Sequence, residues 1–157
     1  MVRFRSIRRR FLRLAQVGNQ RRVLLAEAVL GLLVARFLLS FVSFPQLARR
    51  FGTLVTPTDP RLTKVVDADP DQARIAQEVS WAVTRAARHA PFKAVCLPQA
   101  MTAQAMLKRR GIASVLHFGG LTGEAKSLDS HAWLDAAGVQ VTGYPVEERL
   151  AEIGSFV

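Results

Sequence analysis

Three stretches of the chain are predicted helices, two from apolar residues that recur every three or four positions and so share one helix face, and the third from its end signals. In the first stretch, residues 23–44, these positions are Leu24, Ala28, Leu32, Ala35 and Leu39. In the second, residues 71–89, they are Ile75, Val79, Ala82, Val83 and Ala86. The third stretch, residues 97–111, follows a lone cysteine and ends in three basic residues and a glycine, as a helix C-terminus often does. We therefore predict three helices.

Beyond Gly111 the pattern changes to alternation, which predicts strands. The segment IASVLHFGG (112–120) alternates as a half-buried strand, and GLTGEAKSLDS (120–130) is a polar loop. HAWLDA (131–136) and VQVTG (139–143) form a predicted hairpin across Ala137-Gly138. Helices followed by these strands predict an α+β fold, with an antiparallel sheet packed on a helix.

Composition divides the chain into four parts. Residues 1–22 form a basic segment, 23–52 a helical region, 53–70 a linker with three prolines, and 71–157 the predicted core. The 157 residues are enough for one domain with an appendage.

The apolar stretch at 23–44 is interrupted by charge. Glu27 and Arg36 leave only eight uncharged residues between them, whereas a spanning helix needs about 20 predominantly apolar residues. The segment also lacks the cleavage site of a signal peptide. We expect an amphipathic or buried helix of a soluble protein. Membrane contact through this helix and the arginines remains an alternative that we do not favour.

The basic residues are concentrated at the N-terminus. The formal net charge is +10, yet residues 1–22 hold eight arginines and no acid, and the other 135 residues hold 14 basic and 12 acidic side chains. The body is almost neutral, so no nucleic-acid partner is expected. The basic segment is either simply solvated or contacts anionic lipid, nucleic acid or an acidic peptide.

One cysteine limits the chemistry. A single thiol forms no internal disulfide and no cysteine-rich zinc site, and it fits a reducing, cytoplasmic compartment. The sequence has no glycine-rich phosphate loop of the Walker type. We expect no metal and no cofactor.

Cys96 and His131 are the candidate catalytic pair. Cys96 precedes a predicted helix, where free N–H groups and the helix dipole stabilise a thiolate, and His131 begins a later strand. A thiolate beside an imidazole is the nucleophile of cysteine peptidases and acyltransferases. Alone, each residue is more often a packed core residue, but their joint arrangement favours catalysis. The Cys96 N–H is the first oxyanion donor, and the sequence identifies no second donor.

The residues CLPQAMTAQAMLKRRGIASVLHFGG, followed by HAWLDAAGVQVTG, resemble the leader peptidase of lasso-peptide maturation, a transglutaminase-like cysteine protease. Its members share the Cys-Leu-x-x-Ala/Ser start, a helix ending in basic residues and glycine, a strand, and then His-Ala-Trp with a glycine turn. The resemblance covers residues 70–157, and residues 23–52 are similar to the N-terminal part of stand-alone members. It implies a transglutaminase-like or papain-like core, with a nucleophile helix packed on antiparallel strands.

The resemblance also implies an activity and partners. Such a cysteine endopeptidase removes the leader from a ribosomally made precursor peptide, with Cys96 as nucleophile and His131 as base. An ATP-dependent cyclase then closes the macrolactam. Because the N-terminal region lacks a strand-rich pattern, the leader-recognition (RRE-type) protein is expected to be a separate partner.

The chain departs from the family where the histidine needs an orienting group. Family members often have an aspartate about a dozen residues after the histidine, but here that position is Gly143. Asp135 is the nearest substitute and shares a strand face with His131, although four residues of strand separate them by about 13 Å. The alternatives are Asp129, Glu147, Glu148, a backbone carbonyl and the Thr142 hydroxyl.

The remaining rings have weaker assignments. Trp133 shares the face of His131 and is a candidate substrate-binding roof, with a packed strand aromatic as the commoner role. We interpret His89 and His117 as structural.

Two other functions are compatible with the sequence. A catalytically weak transglutaminase-like scaffold could present the precursor to partner enzymes, as the absent acid at position 143 suggests. A membrane- or nucleic-acid-associated protein could instead act through its basic N-terminus.

Overall fold

Apart from one two-residue strand, helices come first along the chain and strands follow, in a computed structural model that describes residues 18–64, 69–121, 130–147 and 150–157. The helices are α1 (Asn19–Phe41), α2 (Phe44–Phe51), α3 (Pro60–Lys64), α4 (Pro70–His89) and α5 (Cys96–Lys108). The strands are β1 (Leu54–Val55), β2 (Val115–Leu121), β3 (Ser130–Ala136), β4 (Val139–Thr142) and β5 (Leu150–Phe156). The predicted α+β class is confirmed.

The strands form one antiparallel sheet in the order β1-β5-β2-β3-β4. The predicted hairpin is β3 and β4, turning at Ala137 and Gly138, which both have positive φ. The structure adds β1 and α3 inside the segment predicted as a linker, and β5 after the hairpin. Sequence patterning missed these elements because a two-residue strand has no period and Gly154 interrupts the apolar alternation of β5.

Helices α4 and α5 pack between α1 and the sheet. Helix α4 begins where the Asp69 carboxylate accepts a hydrogen bond from the Asp71 N–H at 3.1 Å, with Pro70 in the first turn. Their inner faces carry many alanines, which let helix and sheet backbones approach closely. The buried residues of the two helices include Ala76, Val79, Ala82, Val83, Ala100, Ala103, Met106 and Leu107.

Helix α1 covers α4 and α5 on the side away from the sheet. Its buried residues are Leu24, Leu25, Ala28, Leu32 and Ala35, four of which are positions that the helical spacing predicts. Glu27 forms ion pairs with Arg109 at 2.7 Å and Arg110 at 2.6 Å, so charge as well as packing ties α1 to the end of α5. The hydrogen bond from Arg110 is the main cause of the lowered pKa of Glu27.

Candidate active site

Cys96 is the first residue of α5 and is partly buried against the core. The first N–H groups of a helix have no partner within it, and Pro98 contributes none, so the Cys96 and Leu97 amides have no acceptor inside α5. The Gln99 side chain donates to the Ala94 carbonyl at 2.6 Å and fixes the approach of the chain. Cys96 therefore lies at a helix start, the position that stabilises a thiolate.

His131 is the second residue of β3, where the ladder with β4 has already ended. Alternate residues of β3 (Ala132, Leu134 and Ala136) belong to the core shared with α5, and His131, Trp133 and Asp135 project from the other face. Helix α5 packs against both β3 and β4. Strand alternation therefore places His131 on the face of the sheet opposite to the one that α5 covers. Among the described residues no hydrogen bond joins the Cys96 thiol to the His131 ring, so the structure does not bring the pair together and their pairing stays a prediction.

The Gly143 carbonyl holds the His131 ring. His131 Nε2 lies 2.6 Å from this oxygen, and a carbonyl can only accept, so Nε2 carries a proton. In the neutral ring Nδ1 is then the nitrogen that can take a proton from a thiol. The backbone carbonyl foreseen among the alternatives thus comes from Gly143 itself, the residue at the position where the family often has an acid.

Close contact with β3 requires glycine at position 143. Its φ is +84°, and a Cβ there would lie 2.4 Å from the Ala132 carbonyl oxygen and 2.8 Å from the Trp133 Cα. An aspartate side chain therefore has no room on this backbone, and the carbonyl takes its place beside the ring.

Asp135, the suggested substitute orienter, has other partners. Its carboxylate accepts from the Tyr144 hydroxyl at 2.6 Å and lies 3.3 Å from His117 Nε2. This corrects the expectation that Asp135 holds His131, and the reason is the length of strand between them.

Among the described residues, neither of the other side-chain candidates for the orienting role has a hydrogen bond to His131. The Thr142 hydroxyl is buried and has no hydrogen-bond partner in the described part of the chain. Glu147 is exposed, and Asp129 and Glu148 lie outside the described residues.

A second polar cluster surrounds His117 on the same face of the sheet. His117 Nδ1 donates to Glu152 at 2.7 Å, and the Ser155 hydroxyl donates to the same carboxylate. Burial lowers the pKa of His117, but the hydrogen bonds to Asp135 and Glu152 outweigh burial and raise it overall. Burial and the bond to Asp135 raise the pKa of Tyr144. Because Ser155 is fully buried, it is no nucleophile despite its histidine neighbour.

Trp133 joins the two histidines. Its ring stacks on His117 with centroids 5.3 Å apart and on His131 with centroids 6.1 Å apart. Gly119, the cross-strand partner of His131, leaves room for the indole, because a Cβ there would lie 2.9 Å from the Trp133 ring. Trp133 is thus a buried wall beside His131. The contact of His117 with Trp133 depends on the register of β2 against β3, which the spacing of residues along the chain does not encode.

The described residues contain no cluster of three or more His, Cys, Asp or Glu side chains arranged to hold a metal ion. The groups available for chemistry are the Cys96 thiol, the His131 ring and the amides at the start of α5.

Comparison with known proteins gives one match. A family model described as the transglutaminase-like superfamily, whose members are typically Cys/His hydrolases or peptidases, matches residues 38–154. Searches of curated proteins and of solved structures gave no match. The matched region covers both Cys96 and His131 and most of the chain. The chain therefore belongs to the transglutaminase-like superfamily, a domain that suggests a cysteine-protease-like activity.

Proposed function

We propose that this protein is a cysteine endopeptidase that removes the leader from a ribosomally synthesised lasso-peptide precursor. The observation that carries the proposal is the hydrogen bond from His131 Nε2 to the Gly143 carbonyl. Because the carbonyl accepts this bond, Nε2 carries the proton of the neutral ring, which supports Nδ1 as the nitrogen that receives the thiol proton. Cys96 occupies the start of α5. The superfamily supports the chemistry, and the resemblance of residues 70–157 supports the substrate.

The reaction begins when His131 Nδ1 accepts the Cys96 thiol proton and the thiolate attacks the scissile carbonyl carbon. The Cys96 N–H donates to the developing oxyanion. His131 then gives its proton to the leaving amine, which departs as the C–N bond breaks and leaves an acyl-enzyme thioester. Water adds to the thioester with His131 as base, and the thiolate leaves and is reprotonated. No cofactor takes part.

The proposed partners follow from the same resemblance. A separate leader-recognition protein presents the precursor, and an ATP-dependent cyclase joins the freed amine to a side-chain carboxylate. We place the three proteins in the cytoplasm, where a single thiol stays reduced.

Cleavage of the cognate precursor tests the assignment. The precursor, the recognition protein and the peptidase are mixed, and the released leader is measured by mass spectrometry. Cys96→Ala should abolish cleavage while circular dichroism shows a native fold. His89→Gln, an exposed substitution at the end of α4, is the matched control and should cleave normally. Undiminished cleavage by folded Cys96→Ala would refute the proposal.

Thiol alkylation separates a peptidase from a catalytically weak scaffold, the alternative suggested by the absent acid at position 143. If Nδ1 of His131 accepts the thiol proton, iodoacetamide should modify Cys96 faster in the wild type than in His131→Ala at neutral pH. Equal rates in the two proteins would favour the scaffold.

A further inference from the structure

Helix α1 exposes an apolar stripe along its outer face. The stripe consists of Val23, Leu30, Leu33, Val34, Phe37 and Phe41, which are between 47% and 74% exposed. These residues lie opposite the buried face and recur at helical spacing over about 27 Å of helix. Scattered apolar residues are normal on a protein surface, but a continuous row of this length indicates a binding surface.

The inner face fixes α1 to the body of the protein. Gly31 lies so close to α5 that a Cβ would be 2.5 Å from the Thr102 Cγ2, and Glu27 pairs with two arginines at the end of α5. By length and composition α1 is long and apolar enough to cross a bilayer. Crossing would remove Leu32 and its buried neighbours from the core. Binding through the exposed stripe alone would leave the contacts of α1 with the core and with α5 intact.

The net charge of the protein lies in the region that contains the stripe. Residues 1–58 hold eleven arginines and one acid, Glu27, whereas residues 59–157 hold eleven basic and eleven acidic residues. Glu27 is already paired. Two copies joined through the stripe would bring equal positive charges together. A surface of opposite charge with an apolar layer beneath it matches both the arginines and the stripe.

We propose that the apolar stripe is a membrane-binding surface for an anionic bilayer. Helix α1 lies parallel to the membrane, with Phe37 and Phe41 below the headgroups, and the excess of arginine charge in residues 1–58 attracts anionic lipid. The phenylalanine rings are 4.6 Å apart and form one wedge. This attachment is independent of Cys96 and His131.

Vesicle flotation tests the proposal. The full-length protein is mixed with vesicles of about 30% phosphatidylglycerol in phosphatidylcholine, and the floating fraction gives a partition coefficient. The double substitution Phe37→Ser/Phe41→Ser should lower this coefficient by roughly tenfold or more. For wild type the coefficient should also fall in pure phosphatidylcholine and at about 1 M salt, where the Debye length is about 3 Å.

Two controls keep the result specific. Ile153→Ser removes a side chain that is 74% exposed on β5 and should bind vesicles like wild type. Cys96→Ala should also float normally, so failure of the peptidase assignment and failure of this proposal are distinguishable. Circular dichroism verifies the fold of each variant.

Either of two outcomes would overturn the proposal. One is a partition coefficient that the double substitution leaves unchanged. The other is a lipid-free wild-type dimer, detected by light scattering, that the double substitution converts to a monomer while vesicle binding stays absent. That result would assign the stripe to a second copy.

Discussion

Gly143 combines two properties that no other residue supplies at its position. Its positive φ turns the chain, and its missing side chain lets the backbone pass close to Ala132 and Trp133. Because the backbone lies this close to β3, the Gly143 carbonyl reaches the His131 ring. A residue that looks like a loss in the sequence therefore supplies the orienting group through its backbone.

Substituting Gly143 should damage stability and catalysis together. Gly143→Ala should lower the free energy of unfolding by about 2–3 kcal/mol, from the left-handed φ and the overlap with β3. Precursor cleavage should fall further, because the carbonyl moves from His131. Urea denaturation and kcat/KM measure the two effects. Gly111→Ala is the matched control, since Gly111 has φ +69° but nothing within 4 Å of its Cβ. Equal losses in both variants would mean that close approach is unimportant.

The charge on His117 should make stability depend on pH. Its pKa is raised in the folded state from 6.5 by Asp135 and Glu152. The stabilisation is therefore complete below pH 6.5 and is lost as the pH rises through the folded pKa. His117→Gln should flatten this fall in the free energy of unfolding, measured by urea denaturation across the range. His89→Gln should keep the wild-type slope. Parallel curves for wild type and His117→Gln would contradict the argument.

At the residue scale, the sequence predicts the pair Cys96 and His131, which stays a prediction, but it does not predict the group that holds the His131 ring. Cys96 and His131 are recognisable from residue type and element order. The group that holds His131 depends on the positive φ of Gly143 and on the close approach of its backbone to β3. The residue types at neighbouring positions do not predict either feature. Asp135 is a carboxylate on the same strand face as His131, so it could have oriented the ring. It lies too far along the strand to reach His131, and it contacts His117 instead.

At the scale of elements, the junction of α1 with α5 depends on a single missing methyl group. Alanine is a better helix former than glycine by about 1 kcal/mol, so Gly31→Ala would stabilise an isolated helix. Here the added Cβ meets Thr102, whose hydroxyl is fixed on the Pro98 carbonyl at 2.8 Å. We expect a net destabilisation of about 1–2 kcal/mol, measured by thermal unfolding. Gly18→Ala, with nothing near its Cβ, changes only the N-cap of α1 and should destabilise less than Gly31→Ala. A stabilised Gly31→Ala would show that the helices separate freely.

The elements that periodicity predicts are those that bury one face over several helical turns or several strand residues. Helices α1, α4 and α5 and the β3–β4 hairpin meet this condition, and the structure contains all of them. Strand β1 has two residues, so it depends entirely on its partner β5, with Leu54 opposite Phe156. This pairing joins segments about 100 residues apart, so the residues around β1 alone do not predict it.

At the scale of the whole molecule, the folding unit begins before the family match. The match starts at residue 38, inside α1, yet Leu24, Ala28 and Leu32 are core residues. A chain shortened to residues 43–157 should lose cooperative thermal unfolding, because α4 and α5 would expose the surface that α1 covers. Removal of residues 1–17 alone is the control and should retain it. If the shorter chain unfolded cooperatively with an unchanged midpoint, α1 would not be part of the folding unit.

The place of β5 in the sheet has a consequence for synthesis on the ribosome. This strand lies between β1 and β2 although it is made after every other strand. Until residue 156 leaves the exit tunnel, β1 has no partner and His117 lacks Glu152 and Ser155. The helices can collapse earlier, but the sheet face that carries His131 is completed only after β5 has been synthesised. A nascent chain therefore has no complete sheet around the candidate site until β5 has left the ribosome.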